Sequence, residues 1–192
     1  MKEKLKVLLN WAAEATGIRS VPDPLKHPGG AYTETLKLRG RYQTQPHTCG
    51  AVAGLVILDY LRPGCDAETF FRCANPTPEK GTSVSKLVKA LRKHGVSVSH
   101  RTGMTFADFA AEIGKLHPVA VVVNTDDPDS SHWVVVYGYG RRPNRVFIAG
   151  NGLPLISRKE YPWSEFRRYH WAYAGEGLVC GRRKRRRRLK RN

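Results

Sequence analysis

One segment constrains this chain more than any other. Gln43-Thr44-Gln45-Pro46-His47-Thr48-Cys49-Gly50 runs straight into Ala51-Val52-Ala53-Gly54-Leu55-Val56-Ile57-Leu58. A continuous apolar stretch of this kind reads as a helix buried in a core, and it places Cys49 in the first turn. Thr48 is read as the N-cap, and Pro46 marks the end of the incoming loop. A thiol reacts as its thiolate, and a helix N-terminus favours that form. Six residues upstream, Gln43 carries an amide that can donate a hydrogen bond to a developing oxyanion.

A nucleophilic cysteine needs a base. Of the seven histidines, His132 stands out, because it opens the strand-like run His-Trp-Val-Val-Val-Tyr-Gly-Tyr at 132–139 after a polar loop at 126–131. A histidine at a strand mouth can face a cleft while the rest of the strand is buried. The base in turn needs a group that orients its other ring nitrogen. The next strand-like run, 145–150, ends at Asn151-Gly152. If Arg-Arg-Pro-Asn (141–144) turns a hairpin, Asn151 returns to the level of His132. The chain order is then Cys, His, Asn, with Gln ahead of Cys. Taken singly, a cysteine at a helix start is usually a small buried hydrophobe, and Asn-Gly is usually a turn. The functional reading rests on their order and spacing together.

These residues resemble the papain-like cysteine peptidases, most closely the double-glycine leader peptidase domains of bacteriocin exporters. Gln43 to Cys49-Gly50 is similar to that family's oxyanion glutamine and nucleophile. His132-Trp133-Val134-Val135-Val136 resembles its His-aromatic-Val-Val run, and Phe106 to Val123 its preceding helix and strand. The stretch from Ile156 to Phe166 and on to Val179 resembles its closing helix and last strand. Asn151 falls where the family usually has Asp followed by Pro. Asn is the orienting residue in papain itself, but an amide does not stabilise imidazolium as a carboxylate does. The resemblance covers roughly residues 35 to 180. It implies a catalytic set of Cys49, His132, Asn151 and Gln43, a peptide or protein substrate, and no cofactor.

Composition narrows the classes further. A chain of 192 residues fits one domain with a proper core. Its four cysteines are expected to be free packed thiols rather than a disulfide scaffold. Cys180, at the end of the last strand, has no helix N-terminus to activate it. His47-x-Cys49 is the only hint of zinc spacing, and it is weak; no metal site is expected. His47 is read as a loop histidine, or as a second polar group at the mouth of the site. Leu5, Leu8, Leu9 and Ala12 fall at helical spacing, so residues 3–16 are expected to form an amphipathic helix rather than a signal peptide. No stretch reaches the roughly 20 apolar residues of a membrane span, and a cytoplasmic location is expected.

The net charge of +17 is partly a tail effect: residues 182–191 hold nine positive charges and no negative one, so 17 − 9 = +8 remains without them. Such a block is expected to be disordered alone and to attract nucleic acid, acidic lipid or an acidic protein. No aromatic interleaves the arginines, so stacking on bases is not expected.

The expected organisation is an N-terminal helix and loop over 1–30, a peptidase domain over 31–180, and a basic tail over 181–192. Within the domain, a strand is expected at 35–41, then the nucleophile helix to about Leu61. Helices follow that contain Phe70 and Phe71 (capped by Asp66), Leu87 to Leu91 (started by Ser83 or Ser85) and Phe106 to Ile113 (capped by Thr105). Strands are expected near 96–100, 118–124, 132–139, 145–150 and 176–180, with a short helix near 163–169. Helices first and antiparallel strands later give an α+β domain, with Cys49 on a helical lobe and His132 and Asn151 on a sheet. Three other functions stay open: acyl transfer on the same Cys-His pair, a non-catalytic peptide-binding module, and a nucleic-acid-associated protein whose basic tail is the active part.

Overall fold

The computed structural model describes residues 32–124, 130–151 and 156–183. The helix expected at 3–16 and the tail beyond residue 183 lie outside the described residues.

The apolar run at 51–58 forms the middle of helix α1 (Cys49–Leu61), and every residue of it is buried. Its hydrophobicity has no polar side because the helix is covered all round. Two amphipathic helices pack on it, α2 (Ala67–Ala74) and α3 (Val84–Lys93). Both start where the sequence signals a cap. The Asp66 carboxylate accepts from the Glu68 amide, and the Ser83 hydroxyl from the Lys86 amide. A fourth helix, α4 (Phe106–Gly114), opens with a reciprocal capping box between Thr105 and Asp108.

The strands form one antiparallel sheet: β1 (Tyr32–Thr35), β2 (Val96–Arg101), β3 (Val119–Asn124), β4 (Ser131–Arg141), β5 (Arg145–Asn151), β6 (Ile156–Pro162) and β7 (Gly177–Arg182). Their order is β2-β7-β3-β4-β5-β6, with β1 on the far half of β4. A further helix, α5 (Trp163–Trp171), lies between β6 and β7 in the chain. The period of two in β3 separates two cores. Ala120 and Val122 join the α1 cluster; Val119, Val121 and Val123 join Phe109 and Phe166 on the other face. The described domain is therefore α+β, with a central sheet buried on both sides.

Several boundaries differ from the expectation. The strand expected at 35–41 lies earlier, at Tyr32–Thr35, and the chain then runs irregularly to the turn at Pro46. The closing strand extends to Arg182. β6 is unexpected; its sequence Ile-Ser-Arg-Lys-Glu-Tyr-Pro offers little apolar alternation because it is an edge strand.

One ion pair joins the irregular segment to α1. The side chain of Arg41 is 3% exposed, and it donates from Nε to Asp59 Oδ2 at 2.6 Å and from Nη2 to Oδ1 at 2.9 Å. Removing the carboxylate of such a pair takes its counter-charge from a buried guanidinium, a loss of about 3 kcal/mol. Asp59→Ala is expected to destabilise the protein by that amount, read as a lower urea midpoint with an unchanged slope.

Candidate active site

A single turn of 3-10 helix, Pro46–Thr48, delivers the chain into α1. Thr48 was expected to cap α1 with its side chain, but it does not; its hydroxyl donates back to the Gln45 carbonyl at 2.8 Å. The turn is held from within by Gln43, which is buried and donates from Nε2 to the carbonyls of Gln45 (2.7 Å) and Pro46 (3.1 Å). Both protons of that amide are thereby committed, and Oε1 is buried with no partner among the described residues.

Cys49 is the first residue of α1 and is 7% exposed. Burial pushes its thiol above the ordinary value, while the backbone amides of Trp133, Gly50 and Cys49 itself pull the other way by hydrogen bonding to the sulfur. The helix start therefore aids the thiolate as expected, yet desolvation dominates.

Trp133 locks this arrangement from the sheet side. Its indole Nε1 donates to the Thr82 carbonyl at 3.1 Å. A Cβ on Gly50 would lie 2.8 Å from both Trp133 Cδ1 and Thr82 Cβ. Only glycine admits so close an approach. Gly54, one turn on, is packed as tightly: its Cβ would stand 2.6 Å from Phe70 Cζ and 2.7 Å from Leu87 Cδ1.

His132 immediately precedes Trp133 and is half-buried as the second residue of β4, paired with Val123 of β3. The hairpin turns at residues 142–144, as read from the sequence, and pairs Val134 with Gly150. This pairing ends two residues from His132 along β4, and Asn151, the last residue of β5, follows Gly150. The fold thus brings the Cys49 sulfur close to the amide that follows His132. Gln43 supports the same turn from below.

Cys49 lines a cleft of about 690 Å³. The cleft is lined as well by Pro46, His47, residues 78–84, Val122, Ser130, Ser131, Trp133, Tyr173 and Glu176. His47 is therefore part of the cleft lining rather than only a loop group. That residues 78–84 line the cleft depends on the long-range Trp133–Thr82 contact, which leaves no local signal in the sequence. Thr82 is buried, and its hydroxyl has no partner among the described residues.

Behind the cleft, His170 is fully buried between Phe109 and Phe166 and shares a 2.8 Å hydrogen bond with the Glu176 carbonyl. Burial lowers its pKa, against the pull of that carbonyl. The remaining cysteines are free thiols, and Cys180 is held inert, its pKa pushed up to about 12 by burial. No group of three or more potential metal ligands occurs among the described residues. No helix among them is long and apolar enough to cross a membrane.

Comparison with known proteins decides the family. The profile of the Peptidase C39 family matches residues 38–179. The chain belongs to the peptidase C39 family. Solved structures of C39-type proteins share its fold. A C39-like peptidase from Bacillus anthracis aligns with a TM-score of 0.62 at 13% identity, over 80% of this chain and 100% of that one. The double glycine motif protease of an AMS/PCAT transporter, solved in complex with the leader peptide, gives 0.57 at 19% identity, over 78% and 94%. The peptidase domain of Streptococcus ComA, a bifunctional ABC transporter of a quorum-sensing pathway, gives 0.55 at 16%, over 73% and 96%. No curated protein matches the chain. The α+β domain of this C39 member thus has the papain-like peptidase fold, as the sequence resemblance implied.

Two predictions follow from the geometry of this C39 site. Gly50→Ala must push Trp133 or Thr82 aside, a strain of about 1–3 kcal/mol. A lowered denaturation midpoint and a shifted tryptophan emission maximum are expected. The second concerns pH. His170 has a folded pKa below its ordinary 6.5, so the unfolded state binds the extra proton first. Stability is then constant above about pH 6.5 and falls below it, by at most about 1.4 kcal/mol per pH unit until the folded pKa is reached. Glu112 acts in a lower window. Burial favours its neutral form, but His117, Lys115 and Arg101 outweigh that and hold its pKa below 4.5, so its contribution fades only under more acid conditions. Melting temperatures of His170→Phe are expected to lose the decline between pH 6.5 and 5 and to keep the one below.

Proposed function

We propose that this C39 member is a cysteine peptidase that hydrolyses a peptide bond with Cys49 as nucleophile. The observation that supports this most is the placement of Cys49, the first residue of the buried helix α1, in the lining of a cleft.

The roles assigned here are those that the resemblance to papain-like peptidases implies for these residues. His132, beside the amide that faces the sulfur, takes the thiol proton and later gives it to the leaving amine. Cys49 attacks the carbonyl carbon and forms a thioester, which water resolves to a carboxylate. Asn151, at the end of β5, orients the imidazole. The amides at the start of α1 receive the oxyanion. Gln43 holds the turn that presents them, and it reaches the oxyanion itself only by releasing the longer of its two bonds, the one to Pro46. Burial of the thiol sets a condition on this scheme. Desolvation holds the lone thiol neutral, so the ion pair with His132 must supply the compensation.

A peptide substrate is supported by the similar transporter protease, which was solved with a leader peptide bound. The cleft of this chain is lined by both charged and apolar groups, among them Glu79, Lys80, Val84 and Tyr173.

The test is covalent labelling with an epoxysuccinate or peptidyl fluoromethylketone probe, with the adduct mapped by mass spectrometry. The expected outcome is an adduct on Cys49, absent from Cys49→Ala and lost or at least tenfold slower in His132→Ala. Asn151→Ala is expected to label but to turn over peptide more slowly than the parent protein. A folded wild-type protein that does not label at Cys49 would overturn the peptidase reading and leave the cleft as a peptide-binding groove.

A further inference from the structure

The largest feature outside the cleft is a positive face. From Gly81 to Ala107 the chain contains no Asp or Glu, but it carries Lys86, Lys89, Arg92, Lys93 and Arg101. No acidic residue follows Glu176 to the end of the chain. The fold joins these two acid-free stretches. α3 leads into the edge strand β2, whose only sheet neighbour is β7, and Val96 pairs with Arg182. Arg182 and Arg183 therefore emerge beside the C-terminal end of α3.

At that corner Arg92, Val96, Ser97, Val98 and Arg183 line a recess of about 460 Å³. Arg92 is fixed there, its Nη2 donating to the Val98 carbonyl at 2.9 Å. Arg62, just past α1, joins the group: its guanidinium carbon lies 3.4 Å from where a Gly95 Cβ would be. Lys89 and Lys93 are exposed on the same helix. Among the described residues, none of Arg62, Arg92, Arg182 and Arg183 forms an ion pair with a carboxylate. A helix C-terminus attracts cations. That accounts for Arg92 and Lys93 but not for Arg62, Arg183 or the charges that follow.

We propose that this face binds the phosphodiester backbone of nucleic acid, with one phosphate in the recess between Arg92 and Arg183. Arginine suits this ligand because its planar fork pairs with phosphate through two hydrogen bonds; the run 182–191 holds seven arginines to two lysines. The absence of interleaved aromatics points to backbone contact without base readout. An acidic membrane is the other polyanion to consider. A surface binder of that kind usually adds apolar side chains that insert. The run has one apolar residue, Leu189, and the only large hydrophobic exposed among the described residues is Leu116, after α4.

The test uses the full chain and labelled DNA duplexes of two unrelated sequences, titrated by fluorescence anisotropy over a salt series. Wild type is expected to bind both alike, with log K falling linearly as log salt rises, by about 0.9 per phosphate contacted. The double variant Arg92→Ala/Arg183→Ala should lower that slope by about two and weaken binding roughly tenfold at low salt. A control of equal charge loss, Arg167→Ala/Arg168→Ala on α5, should leave the slope within experimental error of wild type. Circular dichroism checks that each variant is folded. Equal effects of the two double variants would reduce the attraction to net charge and overturn the assigned face. So would the absence of binding, or tighter binding to phosphatidylserine vesicles than to either duplex.

Discussion

The structure depends on one helix that has no solvent side. α1 is covered by α2, α3 and the sheet, and its contacts are closer than side chains normally allow. Gly50 meets Trp133 and Thr82, and Gly54 meets Phe70 and Leu87. Tight packing of this kind fixes the axial position of the helix, because a shift of one residue would drive a side chain into each of those neighbours. Fixing the axis fixes where the first turn ends, and hence where the Cys49 sulfur sits relative to the amide of Trp133. The chemistry at the cleft is thus set by van der Waals contacts a full turn further along the helix.

Two polar devices then hold the incoming chain against that fixed helix. The Gln43 amide ties down the carbonyls of Gln45 and Pro46, and the Arg41 guanidinium grips Asp59 on α1. Both groups are buried, so each would be costly if its partner moved. The irregular segment before Cys49 is therefore rigid for polar reasons, while α1 is rigid for apolar ones. The thiol at their junction carries the consequence. It is desolvated enough to prefer the neutral form, and it faces three amides that stabilise the anion once a proton acceptor is present. A buried neutral thiol is inert until its base is in place, so nucleophilicity becomes a property of the pair.

Much of this was legible in the sequence where the signal is local. Asp66, Ser83 and Thr105 each cap the helix they precede, and the apolar run after Cys49 is the buried helix it reads as. The hairpin at 142–144 brings Asn151 back towards His132 because strand pairing has a fixed register once the turn is set. The failures are long-range or marginal. Thr48 has the residue type of a cap, but the tight turn before it offers the Gln45 carbonyl as a closer partner. The pairing of Arg41 with Asp59 spans 18 residues and leaves no periodic trace. β6 reads as a polar stretch because it closes an edge of the sheet, where side chains need not alternate in polarity. Residues 78–84 line the cleft only through the indole of Trp133.

The charge distribution along β2 gives the fold a polarity that composition alone does not show. At the end near the cleft, basic side chains meet carboxylates: Arg101 lies 3.2 Å from the buried Glu112, and His100 lies 3.5 Å from Glu176. At the other end, about 17 Å away for a strand of this length, Arg92, Arg182 and Arg183 have no such partners among the described residues. Glu112 also takes Lys115 and His117, so one buried carboxylate gathers the basic side chains at this end of the sheet. The uncompensated field is therefore displaced to the corner where β7 leaves the domain. A polyanion drawn to that corner is held a strand's length from Cys49, and screening over a distance greater than the Debye length, about 8 Å at physiological salt, leaves the cleft electrostatically independent of it.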